Sequence, residues 1–307
     1  MMPELVRIGG LTLYTYGFMW VVGIWLAVWW GLRRAPRYGV SPDDALDVAF
    51  WSVLTGIVGG RVAFVLTNWS QYAPDPLSAL RVWEGGMSYF GGFGLAIATA
   101  IYLIRARRVP IWQLGDLAAP SLALGYGIAR IGCFAAGCCY GAPTDLPWGV
   151  LFPGHTHPVH PTQLYATGMN LLIFAGLSWL EPRRRFEGQL FALFLVMHGL
   201  YRFINEFFRA GATSALMLGA FTYGHLVAAV VMAAGGVLYW VLARRHTRTH
   251  ATNVVYYLCR GERDEYLSVG LGALREPCAA LLVGGVAHRL QPAWNCAVHG
   301  GRLERNP

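Results

Sequence analysis

Four ionisable side chains recur at helical spacing in the apolar segment "HGLYRFINEFFR" (198–209). They are His198, Arg202, Glu206 and Arg209. Their spacing of four, four and three residues places them on one face of an α-helix. An imidazole can move a proton, a guanidinium can bind an anion through its planar fork of N–H donors, and a carboxylate can orient that guanidinium. The face therefore predicts a site that binds an anion and moves a proton.

Two further arginines interrupt apolar segments, Arg61 after "GIVGG" and Arg130 within "ARIGCFAAGCCYG" (129–141). With the two arginines of the helical face they supply four positive charges, against two negative charges from Asp116 and Glu206. A charge inside a membrane is costly unless it meets a partner, a cavity or a ligand. The excess of positive charge favours a bound anion, most simply a phospholipid phosphate, over the alternative of a purely structural ion-pair network.

The composition is that of a membrane protein. Of the 307 residues, 55% are hydrophobic and 13% are charged, and the mean hydropathy is +0.42, whereas about a quarter of the residues in a soluble domain are charged. We expect an all-α bundle of about seven transmembrane helices, the first of them retained rather than removed as a signal peptide. The predicted spans are 12–32, 46–67, 87–104, 112–137, 163–180, 188–208 and 220–243.

Basic clusters set the predicted orientation. They occur as "RRAPR" (33–37), "RARR" (105–108), "RRR" (183–185) and "RRHTRTH" (244–250). Because each is two crossings from the next, all four lie on one side, which the positive-inside rule makes cytoplasmic. The N-terminus then lies outside and the C-terminus in the cytoplasm. Since the net charge of +8 falls in short clusters between apolar runs, it indicates an anionic membrane surface and not nucleic acid.

The last part of the chain differs in composition. It mixes charged residues, glycine and proline, and its apolar patch "CAALLVGGVAH" (278–288) is too short to span a bilayer. We predict a membrane domain over residues 1–245 and a cytoplasmic, poorly ordered extension over residues 246–307.

Two polar insertions border the spans. "EGGMSYFGGFG" contains Gly85 and Gly86 before the third span, and "HPTQLY" contains His160 and Tyr165 at the start of the fifth. Glycines permit the close approach of a ligand, although in spans they more often serve helix packing. His160 is either a general acid or base or an interfacial histidine.

Four motifs, in this order on seven spans, resemble the prolipoprotein diacylglyceryl transferase family. They are "RVWEGGMSYFGG" (81–92), "ARIGCFAAGCCYG" (129–141), "HPTQLY" (160–165) and "YRFINEFFR" (201–209). The resemblance covers about residues 9–245. It implies a multi-pass enzyme of the bacterial inner membrane that moves the sn-1,2-diacylglyceryl group from phosphatidylglycerol to the lipobox cysteine of a preprolipoprotein. The products are a thioether and glycerol phosphate, and we expect no cofactor.

The resemblance also implies roles for residues. Arg130 matches the family's signature arginine, which is associated with phosphatidylglycerol binding, and Arg202 matches an essential arginine. We assign Arg202 to the leaving phosphate, Glu206 to orienting it, and His198 to catalysis beside them. The rest of the predicted phosphatidylglycerol site comprises Arg61, Gly85, Gly86, Gly141, His160 and Tyr165.

The chain departs from the family pattern at groups that move protons. Phe90 occupies the position of the family's essential histidine. The other replacements are Cys133 and Ala136 for asparagines, Cys138 for an acidic residue, His198 for a tyrosine and Ala166 for a glutamate. One hypothesis is an active transferase in which His198 or His160 removes the proton. The alternative is a phospholipid-binding paralogue with another acceptor or no transfer activity. A channel or transporter would show a ring of like charges or paired broken helices, and neither is evident in the sequence.

Three cysteines lie within seven positions: Cys133, Cys138 and Cys139. They are interpreted as small packing residues, as a disulfide in the oxidising outer compartment, or as metal ligands with downstream histidines. A disulfide would be strained at a helix end. Because Cys-x4-Cys-Cys is not a zinc-ribbon spacing, no metal site is predicted.

Overall fold

The computed structural model of the chain describes residues 4–8, 11–81, 86–209, 216–218 and 221–266. Its α-helices are α1 Thr15–Arg34, α2 Pro42–Thr67, α3 Trp69–Tyr72, α4 Tyr89–Ala106, α5 Ile111–Ala135, α6 Thr162–Leu180, α7 Gln189–Glu206 and α8 Tyr223–Tyr266. Antiparallel β1 Glu4–Ile8 and β2 Leu11–Tyr14 precede α1, and antiparallel β3 Leu216–Leu218 and β4 Phe221–Thr222 precede α8. Short 3-10 helices lie at Ala35–Tyr38, Pro76–Leu80 and Glu181–Arg183.

Each of the seven predicted spans coincides with one long helix, which confirms the prediction of an all-α polytopic membrane protein. Within the described residues, α1, α2, α4, α5 and α8 are long and apolar enough to cross a membrane. Helices α6 and α7 contain more buried polar side chains, among them Asn170 and Glu206. Their lower hydropathy therefore follows from side chains that face the protein interior. The orientation across the membrane stays a prediction.

Helix α8 is longer than the predicted span that ends at residue 243. It continues to Tyr266, and no proline interrupts the sequence from Tyr223 to that residue. The chain divides into two compact units, Met1–Arg245 and His246–Pro307. The cytoplasmic location and poor order of the extension stay predictions, and residues 267–307 lie outside the described part of the chain.

Helix α5 packs against α1, α6 and α7 and therefore connects most of the bundle. Small residues on its buried faces allow neighbouring backbones to approach closely, which is the packing typical of membrane helices. These residues are Ala119, Ala123, Gly127, Ala129 and Gly132. The register of α5 against its neighbours sets where the functional side chains of each helix meet.

Asp116 fixes the start of α7 against α5. Its carboxylate is fully buried and accepts hydrogen bonds from the backbone N–H groups of Gly188, at 2.9 Å, and Phe191, at 3.0 Å. A helix N-terminus leaves such N–H groups without intrahelical partners and favours a negative charge. Since an α-helix rises about 1.5 Å per residue, Asp116 lies about 21 Å along α5 from Arg130, and it does not neutralise that arginine.

Replacing Asp116 with alanine is expected to lower the free energy of unfolding by about 1–3 kcal/mol, because two buried N–H groups lose their acceptor. The measurement is thermal or denaturant unfolding in detergent micelles. Asp75→Ala is the matched control, since Asp75 forms an exposed ion pair with Arg81 and such pairs contribute about 0–1 kcal/mol. Equal stability of the two variants would contradict the capping role of Asp116.

Candidate functional site

Arg130 lies in the penultimate turn of α5 and is held by a tyrosine one turn earlier. Its Nη2 donates to the Tyr126 hydroxyl at 2.6 Å, and the guanidinium carbon lies 4.7 Å from the centre of the Tyr126 ring. The Tyr126 hydroxyl lies 3.5 Å from the hydroxyl of Tyr201 on α7. This pair of phenols joins the signature arginine to the polar face of α7.

Arg202 lies on α7 beside this tyrosine pair. Its Nη2 donates to Glu206 Oε2 at 2.9 Å, whereas its Nη1 is buried and has no hydrogen-bond partner among the described residues. Arg202 follows Tyr201 in the chain, and the Tyr201 hydroxyl lies 3.5 Å from the Tyr126 hydroxyl to which Arg130 donates, so both arginines adjoin one tyrosine pair. The structure therefore brings together the two arginines that the sequence singled out.

Glu206 is the carboxylate of this region, and its side chain has no solvent exposure. Besides Arg202, it is approached by Arg209 Nε at 3.7 Å and by the hydroxyl of Thr222, which donates to Oε1 at 3.4 Å. A Cβ at Gly224 would lie only 2.2 Å from Glu206 Oε1, so the first turn of α8 has room for the carboxylate because this residue is glycine. The N-terminal end of α8 also favours a negative charge.

Thr222 and His225 form a capping arrangement at the start of α8. The backbone N–H of Thr222 donates to His225 Nδ1 at 3.1 Å, and the backbone N–H of His225 donates to the Thr222 hydroxyl oxygen at 3.4 Å. This is the reciprocal geometry of a capping box, with histidine in place of the usual Glu or Gln. Our sequence interpretation missed both residues, although "TYGH" has the spacing of that motif.

His198 lies one turn before Arg202, as predicted, and its Nδ1 lies 3.0 Å from Asn170 Oδ1 on α6. The Asn170 amide nitrogen donates to the Ala166 carbonyl at 2.8 Å, so the amide oxygen faces His198 and accepts from Nδ1–H. A neutral imidazole then keeps its lone pair on Nε2. The sequence signal for the buried Asn170 was a single amide within an apolar helix, and our interpretation did not use it.

His160, Tyr165 and Gly141 lie close together where the loop after α5 leads into α6. His160 Nδ1 lies 3.3 Å from the Tyr165 hydroxyl, which also accepts a hydrogen bond from Trp148 Nε1 at 2.8 Å. The Gly141 N–H donates to the His160 carbonyl at 2.8 Å, and a Cβ at Gly141 would lie 2.2 Å from the Phe208 carbonyl oxygen. Gly141 thus permits three backbone segments to meet, and the substrate contacts of all three residues stay predictions.

Arg61 is bound to the segment that precedes α4. Its guanidinium donates to the backbone carbonyls of Ser78, Ala79, Arg81 and Gly86 at 2.8–3.1 Å. Through these hydrogen bonds Arg61 fixes the position of that segment. Its predicted contact with a lipid, and that of Gly86, stay predictions, and Gly85 lies outside the described residues.

Phe90, at the position of the family's histidine, is 80% exposed on the first turn of α4. Its ring contacts the neighbouring Tyr89 edge-on at 5.7 Å. Because a phenyl ring carries no exchangeable proton, any proton transfer at this site falls to other groups.

The balance of charge in this region is positive. Glu206 pairs with both Arg202 and Arg209, while Arg130 is bound to the neutral Tyr126. Arginine forks suit phosphate oxygens, since they donate paired hydrogen bonds and keep their charge when they lose water. The arrangement can therefore bind a phosphate at Arg130 and Arg202, with an imidazole one turn away.

Known proteins match the chain over nearly the whole helical region. A family model described as prolipoprotein diacylglyceryl transferase matches residues 3–241. Relatives named phosphatidylglycerol–prolipoprotein diacylglyceryl transferase include those of Geobacter sulfurreducens, 36% identical over 79% of this chain and 96% of the relative, and Bordetella avium, 34% identical over 80% and 96%. The relative from Chromohalobacter salexigens is 36% identical over 79% of this chain and 92% of its own length. Because of these matches and its long apolar helices, the chain belongs to the prolipoprotein diacylglyceryl transferase family and is a membrane-bound transferase.

Proposed function

We propose that this protein transfers the sn-1,2-diacylglyceryl group of phosphatidylglycerol to the lipobox cysteine of preprolipoproteins at the bacterial inner membrane. The names of the relatives supply the lipid and the prolipoprotein as substrates. The observation that carries the proposal to this chain is the buried Arg202 Nη1, a donor with no partner among the described residues, beside a fixed Glu206. A phosphate oxygen is the acceptor that this donor requires.

The reaction is a displacement at carbon. The sulfur of the substrate cysteine attacks the glyceryl carbon that bears the phosphate, so a C–S bond forms while the C–O bond to phosphate breaks. The electron pair leaves with the phosphate oxygen of glycerol phosphate, and the guanidinium groups of Arg130 and Arg202 stabilise the growing negative charge. Glu206 holds Arg202 in position through the hydrogen bond to Nη2.

The thiol proton goes to His198 in this proposal. Its Nε2 carries the lone pair when Nδ1–H donates to Asn170, and it lies on the same helix face as Arg202. Phe90 cannot accept the proton, so His198 replaces a group that other family members place on another helix. The competing hypothesis of a non-catalytic paralogue gains no support from relatives that carry the name of an enzyme.

Reconstitution of the purified full chain in phosphatidylglycerol vesicles tests the proposal. A lipobox peptide is added, and mass spectrometry follows the gain of one diacylglyceryl group while a coupled assay counts glycerol phosphate. We expect equal amounts of both products, and no product from a peptide with serine in place of the lipobox cysteine. An unmodified peptide in the presence of folded protein would refute the transferase.

The close contact between Gly224 and Glu206 gives a further prediction. A methyl group at Gly224 must displace the carboxylate and with it Arg202, because the Cβ would meet Glu206 Oε1 at 2.2 Å. Gly224→Ala is expected to lower kcat by at least about tenfold, since small misplacements of catalytic groups cost up to about 10²-fold. Gly236→Ala, on the same helix with no atom within 4 Å of its Cβ, is the control and is expected to keep full activity. Equal kcat values for the two variants would show that Glu206 need not be held in place.

A further inference from the structure

Three cysteine thiols converge at the C-terminal end of α5: Cys133 in its last turn, and Cys138 and Cys139 in the loop that continues into Gly141. The sulfur atoms of Cys133, Cys138 and Cys139 all lie within 4.8 Å of one another. Cys133 is buried, Cys138 is half-buried and Cys139 is exposed. The sequence spacing disfavoured a metal site because it is not that of a zinc ribbon, but the fold brings the three sulfurs together without that spacing.

The backbone turn that gathers the sulfurs is held by several contacts. Gly137 and Cys139 both adopt positive φ angles, +67° and +63°, and the second is unusual for a residue with a side chain. On α6, the Thr162 hydroxyl donates to the Cys139 carbonyl at 2.8 Å and the Gln163 amide donates to the Cys138 carbonyl at 2.7 Å. Such a backbone conformation persists when surrounding contacts impose it, and it is found most often at functional sites.

Two simpler explanations account poorly for the three side chains together. Packing explains the buried Cys133, but it does not explain why the exposed Cys139 points toward the same two sulfurs. A disulfide uses two thiols and leaves the third without a role. Three thiols that meet at the protein surface instead match the ligand set of an open metal site, in which the last position is filled by water.

A positive charge lies beside the cluster. Arg130 Nη1 lies 4.0 Å from Cys133 Sγ. Thiolates are the metal-binding form of cysteine, and a neighbouring guanidinium favours a thiolate over a thiol.

We propose that Cys133, Cys138 and Cys139 bind one thiophilic d¹⁰ metal ion of the Zn²⁺ type. In a tetrahedral site with Zn–S bonds of about 2.3 Å, the sulfurs lie about 3.8 Å apart. The present separations of at most 4.8 Å therefore close by small side-chain rotations. Cys139 is the exposed ligand through which the ion enters.

The test is metal binding by the purified, reduced full chain in detergent micelles. Zn²⁺ alone is titrated against a chromophoric chelator, and Cd²⁺ alone is titrated while its thiolate charge-transfer absorbance is recorded. We expect one ion per chain and an absorbance equal to that of three thiolates. Cys138→Ala and Cys139→Ala are expected to weaken Zn²⁺ binding at least about 10-fold, as loss of groups that support a metal site costs about 10–100-fold.

The control is a variant in which the remaining cysteines, Cys259, Cys278 and Cys296, are replaced by serine, and we expect it to bind like the parent. Circular dichroism identifies any cluster variant that fails to fold, and Cys139→Ser, at an exposed position, then serves in its place. Absence of binding, or binding that survives the cluster variants and is lost in the tail variant, overturns the proposal. Peptide mapping that finds a disulfide within the cluster also overturns it if the reduced protein binds no metal.

Discussion

The variant Arg202→Ala is expected to lower kcat for lipid transfer by about 10²–10³-fold, the typical effect of removing one donor that stabilises charge in the transition state. Arg202 has the geometry for this role: one nitrogen is bound to Glu206, and the other is buried without a described partner. The negative charge on the phosphate grows as the C–O bond breaks, so the interaction strengthens toward the transition state. We therefore expect the KM for phosphatidylglycerol to change much less than kcat.

Two further variants make this result specific. Arg202→Lys keeps the charge but loses the fork, so it cannot hold Glu206 and a phosphate oxygen together, and we expect intermediate activity. Arg33→Ala is the matched control, because Arg33 is exposed at the C-terminal end of α1, where its guanidinium lies 4.2 Å from the centre of the Trp29 ring. A KM effect alone in Arg202→Ala would assign Arg202 to lipid binding and contradict its role in the leaving step.

Much of the fold follows from the sequence because the bilayer imposes a strong constraint. A helix that crosses lipid must satisfy its backbone internally and present apolar side chains, so hydropathy marks every long helix from α1 to α8. What hydropathy cannot reveal is how helices pair. The contact of Asp116 with the start of α7 depends on tertiary register, which no local pattern encodes.

The candidate site was predictable in part. The helical spacing of His198, Arg202 and Glu206 on one face is a local property, and the structure retains it. Their partners come from other elements: Asn170 on α6 contacts His198, and Thr222, just before α8, contacts Glu206. Asn170 is 28 positions from His198 and Thr222 is 16 positions from Glu206, so no short helical spacing in the sequence indicates these contacts.

Arg61 shows that sequence reasoning can also select a residue whose described contacts are structural. An arginine within an apolar segment indicates a buried partner, but the sequence does not tell a ligand from a backbone carbonyl. In the structure, carbonyl oxygens of the loop before α4 accept its hydrogen bonds. The same reasoning that identified Arg130 and Arg202 therefore also selected a residue whose described contacts are structural.

The loss of the family's histidine at Phe90 makes His198 the critical test of mechanism. His198→Ala is expected to lower kcat by about 10²–10⁴-fold, the usual contribution of a general base. His155→Ala is the control, since His155 lies in the loop between α5 and α6 and contacts Tyr140 edge-on at 4.3 Å. The assay is the peptide and glycerol phosphate measurement proposed above, at saturating phosphatidylglycerol.

Chemical rescue separates proton transfer from a structural role. Small imidazoles added to His198→Ala can occupy the space of the lost ring and accept the thiol proton, so we expect activity to rise with the concentration of the imidazole base. Asn170→Ala keeps the ring but releases Nδ1 from its 3.0 Å contact, and we expect a smaller loss of kcat that imidazole does not restore. Full activity of His198→Ala would instead show that His198 does not accept the thiol proton.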